Sequence, residues 1–181
     1  MRRLAVLLAA VALAGCASPS VEEYAGRSPR LDLSEYFDGP LTGWGIVQDR
    51  SGEVRRSFRV DLVGRWDGDR GVLEEDFFWS DGERQQRTWR FTRIDEHTWT
   101  GTAGDVVGEA TGLAYGNALR WKYVLALELD GDVVNVTLDD WMWLLEGGVL
   151  VNRSEIRKFG LRVGEVTLFF KKPAPGAADG A

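Results

Sequence analysis

Acid–base chemistry in this chain would fall mainly to carboxylates, because it holds one histidine and one cysteine. His97 sits in the turn-like Asp95-Glu96-His97 between two strand patterns. A Ser-His-Asp or Cys-His system needs its imidazole held in a cleft by an orienting group; with no nucleophile motif nearby, a solvated loop histidine is expected. Cys16 is the only cysteine, so no second thiol exists for a disulfide or a cysteine-based zinc site. Carboxylates gather in Glu74-Glu75-Asp76 and Asp139-Asp140. Neighbours in a strand face opposite ways, so neither run sets adjacent carboxylates together as an acid/base pair. Glu74 and Asp76 suit cross-strand ion pairs with Arg55 and Arg59 on a wet face. Glu75 differs, for alternation groups it with Leu73, Phe77 and Trp79. It is either a buried carboxylate paired with Arg56 or Arg87, or a polar contact in a ligand cavity. Asp67-x-Asp69-x-Gly71 opens like a calcium loop, yet Phe78 stands where the distal bidentate Glu belongs, and the segment reads as a turn. There is no phosphate loop and no dinucleotide fingerprint. The expectation is a protein that is not an enzyme, with no catalytic residues, no cofactor and no metal site.

Binding chemistry is better represented. In Val149 to Lys172 two runs of β-branched and aromatic residues flank Phe159-Gly160, the pattern of a hairpin. Asn152, Arg153, Ser154 and Glu165 interrupt these apolar runs, so their face is wet or they pair with one another. Upstream, Trp141 and Trp143 share a face with Val133, Asn135, Thr137 and Asp139, while Val134, Val136, Leu138, Met142 and Leu144 take the other. Asp139, Asn152, Arg153, Ser154, Glu165 and Glu75 are the expected ligand-orienting groups, with Trp141 and Trp143 lining an apolar cavity. A buried network that sets strand register is the competing reading of the polar set, and core filling that of the aromatics.

These residues need elements to hold them. Arg2 and Arg3 followed by Leu4 to Leu13 make residues 1–15 a signal peptide, and Leu13-Ala14-Gly15-Cys16 is the bacterial lipoprotein cleavage pattern. Cys16 is then the lipidation site and the acyl chains the membrane anchor. Ala17, rather than Asp, after that cysteine favours the outer membrane, with the domain facing the periplasm. Residues 16–30 read as a lipidated tether, 31–172 as the folded domain and 173–181 as a disordered tail. Leu31 to Phe37 suggests one helical turn with Ser34 as cap. Beyond it the chain reads as all-β, in about ten strands separated by turns such as Asp49-Arg50-Ser51-Gly52, Ser80-Asp81-Gly82 and Tyr115-Gly116-Asn117. A meander that long removes its edges by closing, which predicts an antiparallel up-and-down β-barrel. With 28 acidic against 22 basic residues the chain is acidic, and losing Arg2 and Arg3 makes it more so. That argues against nucleic acid and against electrostatic adhesion to anionic lipid.

The chain resembles an uncharacterised family of Gram-negative lipoproteins, described as lipocalin-like and grouped as a domain of unknown function. The resemblance runs from Phe37-Asp38-Gly39 and Trp44-Gly45 through Val47 to Gly52, Trp66-Asp67-Gly68, Glu75-Asp76-Phe77 and Ser80-Asp81-Gly82 to Asp139-Asp140-Trp141-Met142, Asn152-Arg153-Ser154, Lys158-Phe159-Gly160 and Val163 to Thr167. It implies a lipocalin-like (calycin-type) barrel and, from enzymes of membrane fatty-acid modification encoded near some relatives, a lipid-related envelope role. It also implies that Trp44 plugs one barrel end under Arg153, Arg157 or Lys158. The expected function is binding of an apolar or amphipathic ligand, a fatty acid or phospholipid. The alternatives are a docking protein exposing Met142 and Leu144, and an enzyme acting on lipid through Glu75, Asp139 or Glu165.

Overall fold

Ten alternating runs become ten antiparallel strands, in a computed structural model that describes residues 19–129 and 131–173. The leader, Cys16 and the tail after Pro173 lie outside the described residues. The strands are β1 (Gly39–Asp49), β2 (Val54–Asp67), β3 (Arg70–Trp79), β4 (Arg84–Arg93), β5 (Thr98–Thr102), β6 (Val106–Tyr115), β7 (Ala118–Leu129), β8 (Asp132–Leu144), β9 (Val149–Lys158) and β10 (Leu161–Lys171). Each pairs with its sequence neighbours, and β1 pairs with β10 to close the barrel. The fold is the expected all-β, lipocalin-like up-and-down barrel. Its boundaries differ from expectation mainly at β2 and β3, which extend until only Gly68-Asp69 remain as the turn. Gly68 has φ 55, the left-handed backbone that a two-residue hairpin needs.

Alternation decides which side chains enter the barrel. Leu73, Glu75 and Phe77 of β3, Trp121, Tyr123 and Leu125 of β7, and Leu168 and Phe170 of β10 point inward. Eight strands make a barrel whose interior side chains can fill; ten make a wider one. Here the extra width leaves space, narrowed by large rings lying over glycines: the Phe58 ring occupies the place a Cβ on Gly45 would take.

One end is closed by the N-terminal segment. A 3₁₀ turn, Val21–Tyr24, packs on β6 and β7 with Val21 buried, so the chain is fixed to the barrel well before the expected tether ends at residue 30. Helix α1 (Leu33–Tyr36) follows, capped by Asp32 rather than by Ser34: the Ser34 amide donates to Asp32 Oδ1 at 2.9 Å. Arg93 of β4 pins that cap with a 2.7 Å bond to Asp32 Oδ2. Leu33 and Phe37 enter the barrel as its floor, and the Tyr36 hydroxyl donates to the Gly148 and Phe170 carbonyls at 3.0 and 3.1 Å. Burial pushes the Tyr36 phenol up to about 12, so it stays a donor.

Candidate functional site

Above that floor the barrel encloses a cavity of about 670 Å³, within the range of small-molecule sites. It runs from Leu33 and Phe37 to a mouth at the opposite end, edged by Arg56, Glu83 and Glu128. Most of its wall is aromatic and aliphatic. Trp89 stacks on Phe91 at 5.5 Å and meets Tyr123 edge-on at 5.5 Å, and Phe58, Phe77 and Trp79 form a second group nearer the mouth. At the mouth, the Arg56 guanidinium lies 4.0 Å from the Trp79 ring centre and donates to Asp81 and Glu83 at 2.9 and 2.7 Å.

A polar cluster interrupts the apolar wall. β3 supplies Glu75, β4 Arg87, the β5–β6 turn Asp105, β7 Tyr123, β8 Asp140, and β9 Asn152 and Ser154. Arg87 Nε and Nη2 donate to Asp105 Oδ2 at 2.9 and 2.6 Å. Its Nη1 stays 3.8 Å from Glu75 Oε2, too far for a hydrogen bond. Glu75 is only 9% exposed, and its Oε2 has no protein partner. Burial lifts the Glu75 carboxyl to about 7; Arg87 opposes the rise, and Asp105 and Asp140 add to it. Asp140 is lifted to about 6 by burial, although Ser154 and Asn152 hydrogen-bond its carboxylate. Asn152 Nδ2 donates to Asp140 Oδ1 and, at 3.0 Å, to the Trp141 carbonyl. Burial also raises the Tyr123 phenol well above its ordinary value, so this group too remains protonated. Asp105 Oδ1 and Trp79 Nε1 are buried without a protein partner.

The expected site residues divide by strand face. Glu75, Asn152 and Ser154 face the cavity as expected. Asp139, Trp141, Trp143, Arg153 and Glu165 do not. They lie on the outer face, because the inward positions of β8 are Leu138, Asp140 and Met142 and those of β10 include Val166 and Leu168. Asp139 accepts from Arg120 Nε at 2.7 Å; although burial opposes it, that pairing holds the Asp139 carboxyl below its ordinary value. Trp141 stacks on Trp143 at 5.6 Å and lies under Arg120 and beside Tyr24 of the N-terminal turn. Glu165 is buried outside the barrel wall, under Arg153 at 2.7 Å and Arg162 at 3.1 Å. Met142 lines the cavity and Leu144 is buried, so neither forms the exposed patch expected of a docking surface. Trp44 plugs no end: it is 51% exposed on the outer wall, because Gly43 and Gly45 take the inward positions of β1. His97 lies away from the cavity, its Nδ1 2.9 Å from the Ala114 carbonyl and its ring stacked on Tyr115.

Four residues of this polar cluster were absent from the expected site: Arg87, Asp105, Tyr123 and Asp140. Arg87 was named only as a possible partner of Glu75. Asp140 and Tyr123 were readable from alternation, since each sits among apolar residues of its strand. Asp105 lies in a turn, where no period assigns a face.

No curated protein gives a significant match to this chain. Residues 10–172 match the family described as protein of unknown function (DUF3833), the whole barrel included, and the chain belongs to that family.

Proposed function

We propose that this protein binds an apolar or amphipathic molecule of the fatty-acid or phospholipid kind inside its barrel, as a non-catalytic component of the cell envelope. The observation that carries this reading is the hollow interior: a cavity of about 670 Å³ with an aromatic wall and one confined polar cluster suits a molecule with a chain and a polar end. Acyl chains on Cys16 would hold the protein at the outer membrane, facing the periplasm. Only Ala17 to Ser20 separate that cysteine from the packed Val21, a reach of at most about 18 Å. The Val21 attachment would stay close to the lipid.

A second reading is a docking protein. It is favoured by the outer-wall groove of about 480 Å³ between Trp44, Phe78 and Phe169, where two rings stand half in solvent. Native mass spectrometry of the full chain carrying Cys16→Ser, recovered from its own periplasm, separates the two. A stoichiometric lipid-sized adduct is the expected result. A clean apo mass, with no fluorescence response of Trp79, Trp89 and Trp121 to fatty acids or phospholipids, would overturn the binding reading and leave the groove as the working surface.

A further inference from the structure

Granting that the cavity binds an amphipathic molecule, its polar cluster constrains the head group. Three carboxyl groups, Glu75, Asp105 and Asp140, surround one guanidinium, that of Arg87. Arg87 spends its Nε and Nη2 on Asp105, and the other cation of the wall, Arg56, is tied to Asp81 and Glu83 at the mouth. Arg87 Nη1, 3.8 Å from Glu75 Oε2, is left without a hydrogen bond, and carboxyl groups outnumber it there. The unpaired oxygens Glu75 Oε2 and Asp105 Oδ1 are acceptors in want of donors. The surrounding surface is Phe77, Trp89, Trp121 and Tyr123, and aromatic faces attract cations. A carboxylate or phosphate placed here would face three carboxyl groups against one guanidinium, in a buried site where repulsion is poorly screened.

We propose that the polar end of the cavity recognises an organic cation, an alkylammonium group carried on an apolar chain. This narrows the amphipathic class proposed above to molecules with an ammonium head and disfavours a free fatty acid within it. Glu75 is the group that answers the cation. Its carboxyl is protonated below about pH 7 in the empty cavity, with Arg87 of β4, Asp105 of the β5–β6 turn, Tyr123 of β7, Asp140 of β8 and Arg56 of β2 as the titratable and charged groups around it. A bound ammonium favours the carboxylate, so Glu75 gives up its proton to solvent as the N–H⁺ to Oε2 bond forms.

The test uses the full chain carrying Cys16→Ser and four probes: dodecylamine, dodecanol, dodecanoate and chainless ethylamine. Binding is followed by calorimetry at pH 6 in two buffers of different protonation enthalpy. Dodecylamine should bind about tenfold tighter than dodecanol, the margin of a charge-assisted over a neutral hydrogen bond. Dodecanoate should be weakest of the three, and amine binding should release close to one proton. Glu75→Gln should remove most of the amine's advantage over dodecanol and its proton release. If that variant does not fold, the two-buffer proton count on the parent protein still decides. Dodecanoate binding as tightly as dodecylamine would overturn the cation and leave the chain-binding reading intact. Ethylamine binding as tightly as dodecylamine would overturn the chain instead, and no binding by any probe would overturn both.

Discussion

Glu75 carries its proton because burial outweighs the nearby Arg87 guanidinium, and that has a consequence for stability. Its carboxyl titrates at about 7 in the folded protein against 4.5 in an unfolded chain. The folded state therefore binds the extra proton between those values, and stability falls as pH rises through that window. Asp140, lifted from 3.8 to about 6, acts in the same direction at slightly lower pH. Glu75→Gln should flatten this dependence and raise stability at pH 8 by on the order of 2–3 kcal/mol, measured by urea unfolding at pH 5 and pH 8. An unchanged pH slope would show that Glu75 is ionised in the folded state. Arg87→Met predicts the reverse, because it strips the counter-charge from Asp105 and Glu75. It should cost about 3 kcal/mol at pH 8 and less at pH 5, where Glu75 is already neutral. Arg153, expected as a head-group contact because it interrupts an apolar run, lies outside the wall beside Glu165. Arg153→Ala should cost under about 1 kcal/mol and leave ligand retention unchanged; a clear loss of bound ligand would return Arg153 to the site.

At the level of elements, the strands followed from the sequence because turn residues and two-residue alternation are local signals. The expected turns at Ser80-Asp81-Gly82 and Gly116-Asn117 fall between β3 and β4 and between β6 and β7. The face assignment of β8 was less legible, since Trp141 and Trp143 are as apolar as Leu138 and Met142 and the period alone cannot say which set faces in. The N-terminal segment was the element misjudged. Its fixing depends on contacts with β2 and the β6–β7 turn, distant in sequence. The Phe37 carbonyl sits where a Cβ on Gly64 would be, only 1.6 Å away. Gly64→Ala should therefore displace the floor and cost about 3 kcal/mol, with new proteolytic cleavage near residues 31–37 as the marker. The β9–β10 hairpin offers the opposite outcome. Phe159 holds φ 50 while 93% exposed, a backbone that suits Asn far better. Phe159→Asn should raise stability by about 0.5–1 kcal/mol in thermal unfolding, and a decrease would mean that the ring makes a contact worth more than the strain.

For the whole molecule, closure of ten strands and the inserted floor together decide that there is a cavity with one mouth. Leu33, Phe37 and Val21 are nearly fully buried, and each contributes roughly 1.5–3 kcal/mol by burial. A chain beginning at Gly39 should keep its strands but lose several times that amount and admit an apolar dye such as ANS; retention of the parent stability would mean the barrel closes without its floor.

By itself the sequence determined an all-β chain of about ten strands and the inward set of most of them, because turn chemistry and alternation act over a few residues. It also singled out Glu75, a carboxylate set among large apolar neighbours on its own strand. Only the tertiary structure decided which carboxylates meet. Glu75, Arg87, Asp105 and Asp140 come from four separate parts of the chain, and barrel closure brings them around one space. Whether that space is hollow was likewise a matter of closure and of ring packing over Gly45, quantities set by contacts far apart in the chain.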